Sequence, residues 1–223
     1  GRRREAQQGH EADTDDGHGD RDFREAEAES AALAVRSWKC FHGRLGAADF
    51  RCAGGTDDGH VEEVGRASVR AAAALAAAAR TGGSISLAGS NTPRRSYELL
   101  AAEPGIDWSQ VHIWFGDERC VPPDDPESNY RMAHETLISR IDIPAANVHR
   151  IRGEDDPAAA ADAYSREIAG LALDLALLGL GPDGHTASLF PDDPALDERD
   201  RLAVADVASK PPPRRITLTL PVF

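Results

Sequence analysis

The stretch LDLALLGLGPDGHTASLFP, residues 173–191, decides the fold. Its first half, Leu173 to Leu178, is a short run with apolar residues at both parities, which predicts a strand buried on both faces, as in a parallel sheet. Its second half begins G-x-G-x-x-G at 179–184, the spacing of a dinucleotide-binding turn. That turn should open a long helix, and Pro191 and Pro194 leave room only for a short one. The better reading is a rigid glycine loop that presents Asp183 and His185 from a strand end. A histidine has a reference pKa of ~6.5 and can serve as a neutral base near pH 7. An aspartate two residues earlier can orient it.

Working outward, the alternation continues. Ser68 to Arg80 is alanine-rich and predicts a helix, stopped by Thr81-Gly82-Gly83. Ile85 to Ala88 predicts a strand. Pro93 to Ala102 predicts a helix with proline in its first turn. Val111 to Phe115 predicts a strand and Asn129 to Arg140 a helix capped by Ser128. Val148 to Ile151 predicts a short strand, Pro157 to Ala169 a helix, and Leu202 to Val207 and Ile216 to Leu220 two more strands. Strand and helix in turn imply an α/β fold, a mostly parallel sheet with helices on both faces. Ligands of such folds gather at the carboxyl ends of the strands. The loops at 89–93, 116–130 and 179–191 are therefore the candidate site.

The first loop, Gly89-Ser90-Asn91-Thr92 before Pro93, is small and polar and precedes a helix, as an anion cradle would. It lacks the P-loop pattern. The second, Gly116-Asp117-Glu118-Arg119, sets three charges at the end of a buried strand. A carboxylate there can orient or accept a proton, and an arginine can hold an oxyanion. Ser128, Asn129 and Tyr130 close that loop. Cys120 reads as a small packing residue whose pKa Arg119 could lower. His112, His134 and His149 read as structural or surface residues.

The chain has 38 acidic and 25 basic residues, a formal net charge of −13. That argues against an electrostatic nucleic-acid binder. No apolar run approaches the ~20 residues of a membrane span, and GRRREAQQ at the start does not read as a secretory signal. Cys40, Cys52 and Cys120 are too few for a disulfide framework, so a reducing cytoplasm is the expected setting. Residues 1–60 are rich in Gly, Asp, Arg and His and read as an irregular or disordered extension. The α/β domain then occupies 61–223. Cys40, His42, Cys52 and His60 are spaced C-x-H-x9-C-x7-H, which matches no zinc pattern. Neither a metal nor another cofactor is expected.

LAGSNTP at 87–93, GDERCVPPDDPESNY at 116–130, LLGLGPDGHTASLFP at 177–191 and RRITLTLP at 214–221 stand in that order. With them the chain resembles the 6-phosphogluconolactonases, from about Ser84 to Leu220. The resemblance implies a Rossmann-like fold shared with sugar-phosphate isomerases and deaminases. It implies metal-free hydrolysis of a sugar-phosphate lactone, 6-phosphoglucono-1,5-lactone, in the pentose phosphate pathway. It casts His185 as the base that activates water and Arg119 as the donor to the oxyanion. Asp117 and Asp183 would orient them. Gly89, Ser90, Asn91, Thr92 and Arg215 would hold the phosphate, with Ser128 and Asn129 lining the same site.

Three departures set expectations. The usual first loop has a second glycine where Ser90 stands. Residues 1–60 do not match the family's opening strand and helix. The chain ends at Phe223, where the family continues with a further phosphate-binding lysine, which leaves a catalytically inactive sugar-phosphate-binding fragment as the alternative. A glucosamine-6-phosphate deaminase is a rival on the same fold, but its histidine is followed by I-A-F-N-E, whereas Thr186-Ala187-Ser188-Leu189-Phe190-Pro191 follows His185. A nucleotide-binding oxidoreductase would rest on the 179–184 glycines alone. No motif specifies an oligomeric state.

Overall fold

Alanine-rich sequence and four apolar positions at helical spacing build the first element of the computed structural model, helix α1, Asp57–Ala79. The structure describes residues 57–208 and 210–223, with the backbone alone for 57–64. The expected extension before residue 57 lies outside the described residues, as do Cys40, His42 and Cys52 of the discounted cysteine–histidine set, whose fourth member His60 falls in helix α1. Helix α1 begins at Asp57 rather than Ser68 and so runs across the domain boundary drawn at residue 60. It buries Ala72, Leu75, Ala76 and Ala79 against the core and ends at Gly82, whose φ of 70° suits glycine.

The remaining elements are β1 (Ser84–Leu87), α2 (Arg94–Ala101), β2 (His112–Phe115), β3 (Asp117–Arg119) and α3 (Asn129–Thr136). They are followed by α4 (Pro157–Ile168), β4 (Leu175–Ala176), β5 (Ala203–Val207) and β6 (Arg214–Leu218). Ser128 caps α3 through Arg131 N–H, and Asp156 caps α4 through Ala159 N–H. Residues 138–140 of the expected longer helix form a separate 3₁₀ turn.

Two sheets form instead of the one mostly parallel sheet expected. Strands β2, β1 and β4 pair in parallel in that order; β3, β6 and β5 pair antiparallel. The second sheet hides in the sequence because β3 is only three residues of charge, DER, which reads as a loop. Gly116 joins the two sheets. Its N–H donates to Leu87 of β1 and its carbonyl accepts from Leu218 of β6.

The expected strand at 148–151 reduces to one bridge between Ile113 and Val148. Leu173 to Leu178 is also corrected. Only Leu175 and Ala176 pair, with β1, and among the described residues no strand lies beyond β4. Its side chains are therefore half-buried, not sealed on both faces.

Ile85, Leu87, Ile113 and Phe115 of the parallel sheet are all but inaccessible and pack with Tyr97 and Leu100 of α2 and Tyr164 and Ile168 of α4. Tyr164 Oη ties α4 to the sheet by accepting from Phe115 N–H at 2.9 Å. Because β1, β2 and β4 run the same way, the loops after them emerge at one edge. That edge carries the candidate site.

Candidate active site

The side-chain alternation of an antiparallel pair sorts the charges of the second loop. In the β3–β6 register, Asp117 lies opposite Thr217 and Arg119 opposite Arg215, so these four share one face. Glu118 and Ile216 take the other.

On the first face Asp117 is 6% exposed. Ser188 Oγ donates to its Oδ2 at 2.6 Å and Asn129 Nδ2 to its Oδ1 at 3.2 Å, while Arg215 Nη1 lies 3.9 Å away. Ser188 is fully buried; its N–H donates to Thr217 Oγ1 at 3.2 Å. Asn129 Oδ1 accepts from Ser90 N–H at 3.3 Å. A Cβ on Gly89 would stand 2.1 Å from that oxygen, so only glycine allows the first loop to come this close. One line of hydrogen bonds thus runs from the first loop through Asn129 and Asp117 to Ser188 in the third. Ser188 carries no role in the sequence pattern of the third loop. Its signal was a lone hydroxyl inside the apolar run ASLF.

Glu118, on the second face, is 2% exposed. Its carboxylate accepts from the N–H groups of Arg119, Asn129 and Tyr130 and from Ser128 Oγ. It therefore pins the start of α3 to β3. Burial pushes its carboxyl up to about 7, against the backbone donors that pull it down.

His185 and Asp183 stand at the outer end. His185 Nδ1 and Asp183 Oδ1 are 2.5 Å apart, and the imidazole stacks on Phe190 with ring centroids at 4.5 Å. A Cβ on Gly181 would lie 2.1 Å from the ring, so any other residue there would displace the imidazole. Lys210 Nζ, from the turn between β5 and β6, is 3.1 Å from Asp183 Oδ2. Burial raises the Asp183 carboxyl, but the hydrogen bonds from His185 and Lys210 outweigh it and hold it at about 2. Lys210 escaped sequence reading, although it is one of only two lysines in an arginine-rich chain.

The arginines differ in freedom. Arg119 is half-exposed and donates through Nη1 to Glu127 O at 2.7 Å, while its Nε is buried with no acceptor among the described residues. Arg215 is 6% exposed and turns Nε and Nη2 to the carbonyls of Pro212 and Pro211, at 3.1 and 3.3 Å. In the first loop Ser90 adopts a φ of 63°, a conformation glycine takes without strain. Asn91 is exposed and accepts Arg94 N–H on its carbonyl; Thr92 is half-buried.

Away from this cluster, His149 is a partly buried residue joined to three others. It stacks on Trp114 and meets His112 at 2.9 Å and Glu167 at 2.6 Å. Burial pushes the Cys120 thiol up; Arg214 pulls against it, and Arg119 is not the neighbour that matters. A cavity of about 350 Å³ lies beside Cys120 and Arg214 and is lined by Glu154, Asp155 and Asp156. Three carboxylates make it a poor host for a phosphate. Among the described residues no group of three or more His, Cys, Asp or Glu is arranged to hold a metal, and no helix is long and apolar enough to cross a membrane.

The strand ends of this α/β frame thus gather a glycine loop, buried carboxylates, two arginines and an Asp–His pair. The chain belongs to the glucosamine-6-phosphate isomerase/6-phosphogluconolactonase family, whose model matches residues 53–223. It is 44% identical to a 6-phosphogluconolactonase of Synechocystis sp. over 66% of this chain and 65% of that one. It is 46% identical to the one of Mycobacterium tuberculosis over 56% of each chain. The chain thus spans little more than half to two thirds of the length of these relatives. The solved 6-phosphogluconolactonase of Trypanosoma brucei superposes with a TM-score of 0.62 at 31% identity, covering 72% of this chain and 74% of the other. That of Thermotoga maritima gives 0.59 at 37%, covering 66% and 72%.

Proposed function

We propose that this protein hydrolyses 6-phosphoglucono-1,5-lactone to 6-phosphogluconate, with His185 as the base. The observation that carries the proposal is the contact between Asp183 Oδ1 and His185 Nδ1. A carboxylate there keeps the proton on Nδ1 and leaves the Nε2 lone pair free to take a proton from water. Opening a lactone also needs a donor for the tetrahedral oxyanion. Arg119 fits that need, because its side chain is half-exposed at the strand end and its charge lies on the face that Asp117 and Arg215 share. Asp117, through Asn129 and Ser188, keeps the three loops in register around the substrate.

The N–H groups of the loop Gly89 to Thr92, at the start of α2, suit the phosphate, with Ser128 and Asn129 beside them. Arg215 contributes as a fixed buried charge beneath that site and not as a mobile ligand. The Rossmann-like organisation expected of the family is read from the parallel half, β2-β1-β4 with its helices. The cytoplasm suits a chain with three cysteines, and the partner is a small sugar phosphate, with neither nucleic acid nor membrane. The net charge of −13 makes local cations necessary, since the global field repels an anion.

The test is hydrolysis of freshly made lactone above the spontaneous rate. A general base is worth ~10²–10⁴-fold, so His185→Ala should lower kcat by about that much with the fold retained. Unchanged turnover in the variant would remove His185 from the mechanism. Ammonia release from glucosamine 6-phosphate without lactone hydrolysis would favour the isomerase branch of the family. A folded chain that binds 6-phosphogluconate with background turnover would be a sugar-phosphate-binding protein.

A further inference from the structure

The Asp183–His185 pair has a third member supplied from a distant part of the chain. Lys210 sits in the turn between β5 and β6, directly before Pro211, Pro212 and Pro213. Proline fixes φ along this run. The buried guanidinium of Arg215 then grips the carbonyls of Pro211 and Pro212 from below. Ala208 N–H donates to Pro213 O at 2.7 Å and closes the turn. The stem behind Lys210 is thus held by two proline carbonyls and a backbone bond. Its Nζ meets Asp183 Oδ2 at 3.1 Å, while the other oxygen of the same carboxylate meets His185 Nδ1.

We propose that Lys210 is a positioning residue for His185, acting through Asp183. By binding Oδ2 it fixes the carboxylate plane so that Oδ1 faces the imidazole and Nε2 points outward. Its charge also offsets part of the attraction of Asp183 for a protonated imidazole. The groups facing His185 are Asp183 on its Nδ1 side and Phe190 on its ring face; Lys210 lies behind Asp183, and Arg215 lies across Phe190, 5.9 Å from that ring's centroid. Of the two cations, Lys210 is the one joined to the pair through a shared carboxylate. Removing it leaves an aspartate whose whole charge acts on His185, so the imidazolium persists to higher pH and less neutral base is present near pH 7.

The inference rests on His185 being the base, and the experiment separates the two. In the full chain, the ring protons of His185 are titrated by NMR in wild type, Lys210→Met and Lys210→Arg, with His185→Ala identifying the signal. Lactone hydrolysis is followed against pH in the same proteins. We expect the His185 titration curve of Lys210→Met to move to higher pH than that of the wild type, because the Asp183 charge is no longer shared with Lys210. The acid limb of kcat should move with it. At neutral pH kcat should fall by up to about threefold with KM little changed, and Lys210→Arg should restore both. An unmoved titration with a raised KM would mean that Lys210 binds substrate and would overturn the proposal. An unmoved titration with unchanged kinetics would reduce the contact to a surface ion pair and overturn it equally. If His185→Ala kept full turnover, the base assignment would fall, while the titration would still decide whether Lys210 governs His185.

Discussion

Asp117 and Asp183 bring the same carboxylate to the same site and are held in opposite ways. Asp117 is sealed at 6% exposure, and its nearest partners are the hydroxyl of Ser188 and the amide of Asn129, with Arg215 further off. Asp183 has a third of its side chain in water and sits between an imidazole and an ammonium. A buried acid with neutral donors fixes positions, because moving it would strand several polar groups out of water. A half-exposed acid between two titratable bases has little to hold together but much to say about where protons reside. In the proposed site, geometry and charge fall to different aspartates.

That division can be broken first at its buried half. Asp117→Ala leaves the Ser188 hydroxyl without its acceptor and the buried Arg215 charge without its counter-charge, while Asn129 Nδ2 keeps the backbone carbonyl of residue 117, and should cost about 3 kcal/mol in urea unfolding. Asp183→Ala should cost no more than ~1 kcal/mol, as expected for a solvent-screened ion pair, yet reduce turnover nearly as far as His185→Ala. Equal stability losses in the two variants would erase the distinction.

The pH dependence of stability sharpens it further. Glu118 has its carboxyl raised to about 7 in the folded state, so the folded protein holds that proton more tightly than the unfolded chain. Its contribution is complete below the ordinary carboxyl range of ~4.3 and is lost as pH rises through about 7. Asp183, held at about 2, behaves oppositely: its contribution is present above the ordinary aspartate value and is lost only as pH falls through about 2. Stability measured from pH 5 to 8 should therefore decline, and Glu118→Gln should flatten the decline where Asp183→Asn leaves it intact.

The smallest effect is expected in the first loop. Ser90 holds a φ of 63°, a left-handed conformation that costs an ordinary residue ~1–2 kcal/mol. Glycine relieves it but gives back some entropy. Ser90→Gly should raise the unfolding free energy by about 0.5–1 kcal/mol, and a loss instead would mean that the serine side chain holds the loop.

The sequence was legible where periodicity and punctuation agree. The helices over 94–101, 129–136 and 157–168 and the strands over 84–87 and 112–115 lie within a residue or two of expectation at most of their ends. Where charge replaces apolar alternation, the pattern fails. Asp117–Arg119 reads as a loop because its strand is stabilised by side-chain networks on both faces instead of by burial of apolar groups. For the same reason the antiparallel sheet went unseen, and the sheet was expected to be mostly parallel. In the site, the three loops were legible from their strand-end positions. Ser188 and Lys210 were not, because a hydroxyl in an apolar run and a lone lysine acquire meaning only from partners far away in the chain.

The alternation of β3 carries a consequence for how this chain tolerates change in length. Asp117 and Arg119 look one way and Glu118 the other, with no neutral residue between them. Inserting or deleting a single residue between Gly116 and Cys120 would turn the site inside out, presenting the helix-pinning glutamate to substrate and driving an arginine toward the start of α3. The stretch from Pro122 to Glu127 bears no such parity, so a change in its length leaves the facing of β3 intact. Insertions and deletions among homologues should therefore collect a few residues downstream of β3 and be missing from it, which makes those three residues a reading frame for the fold.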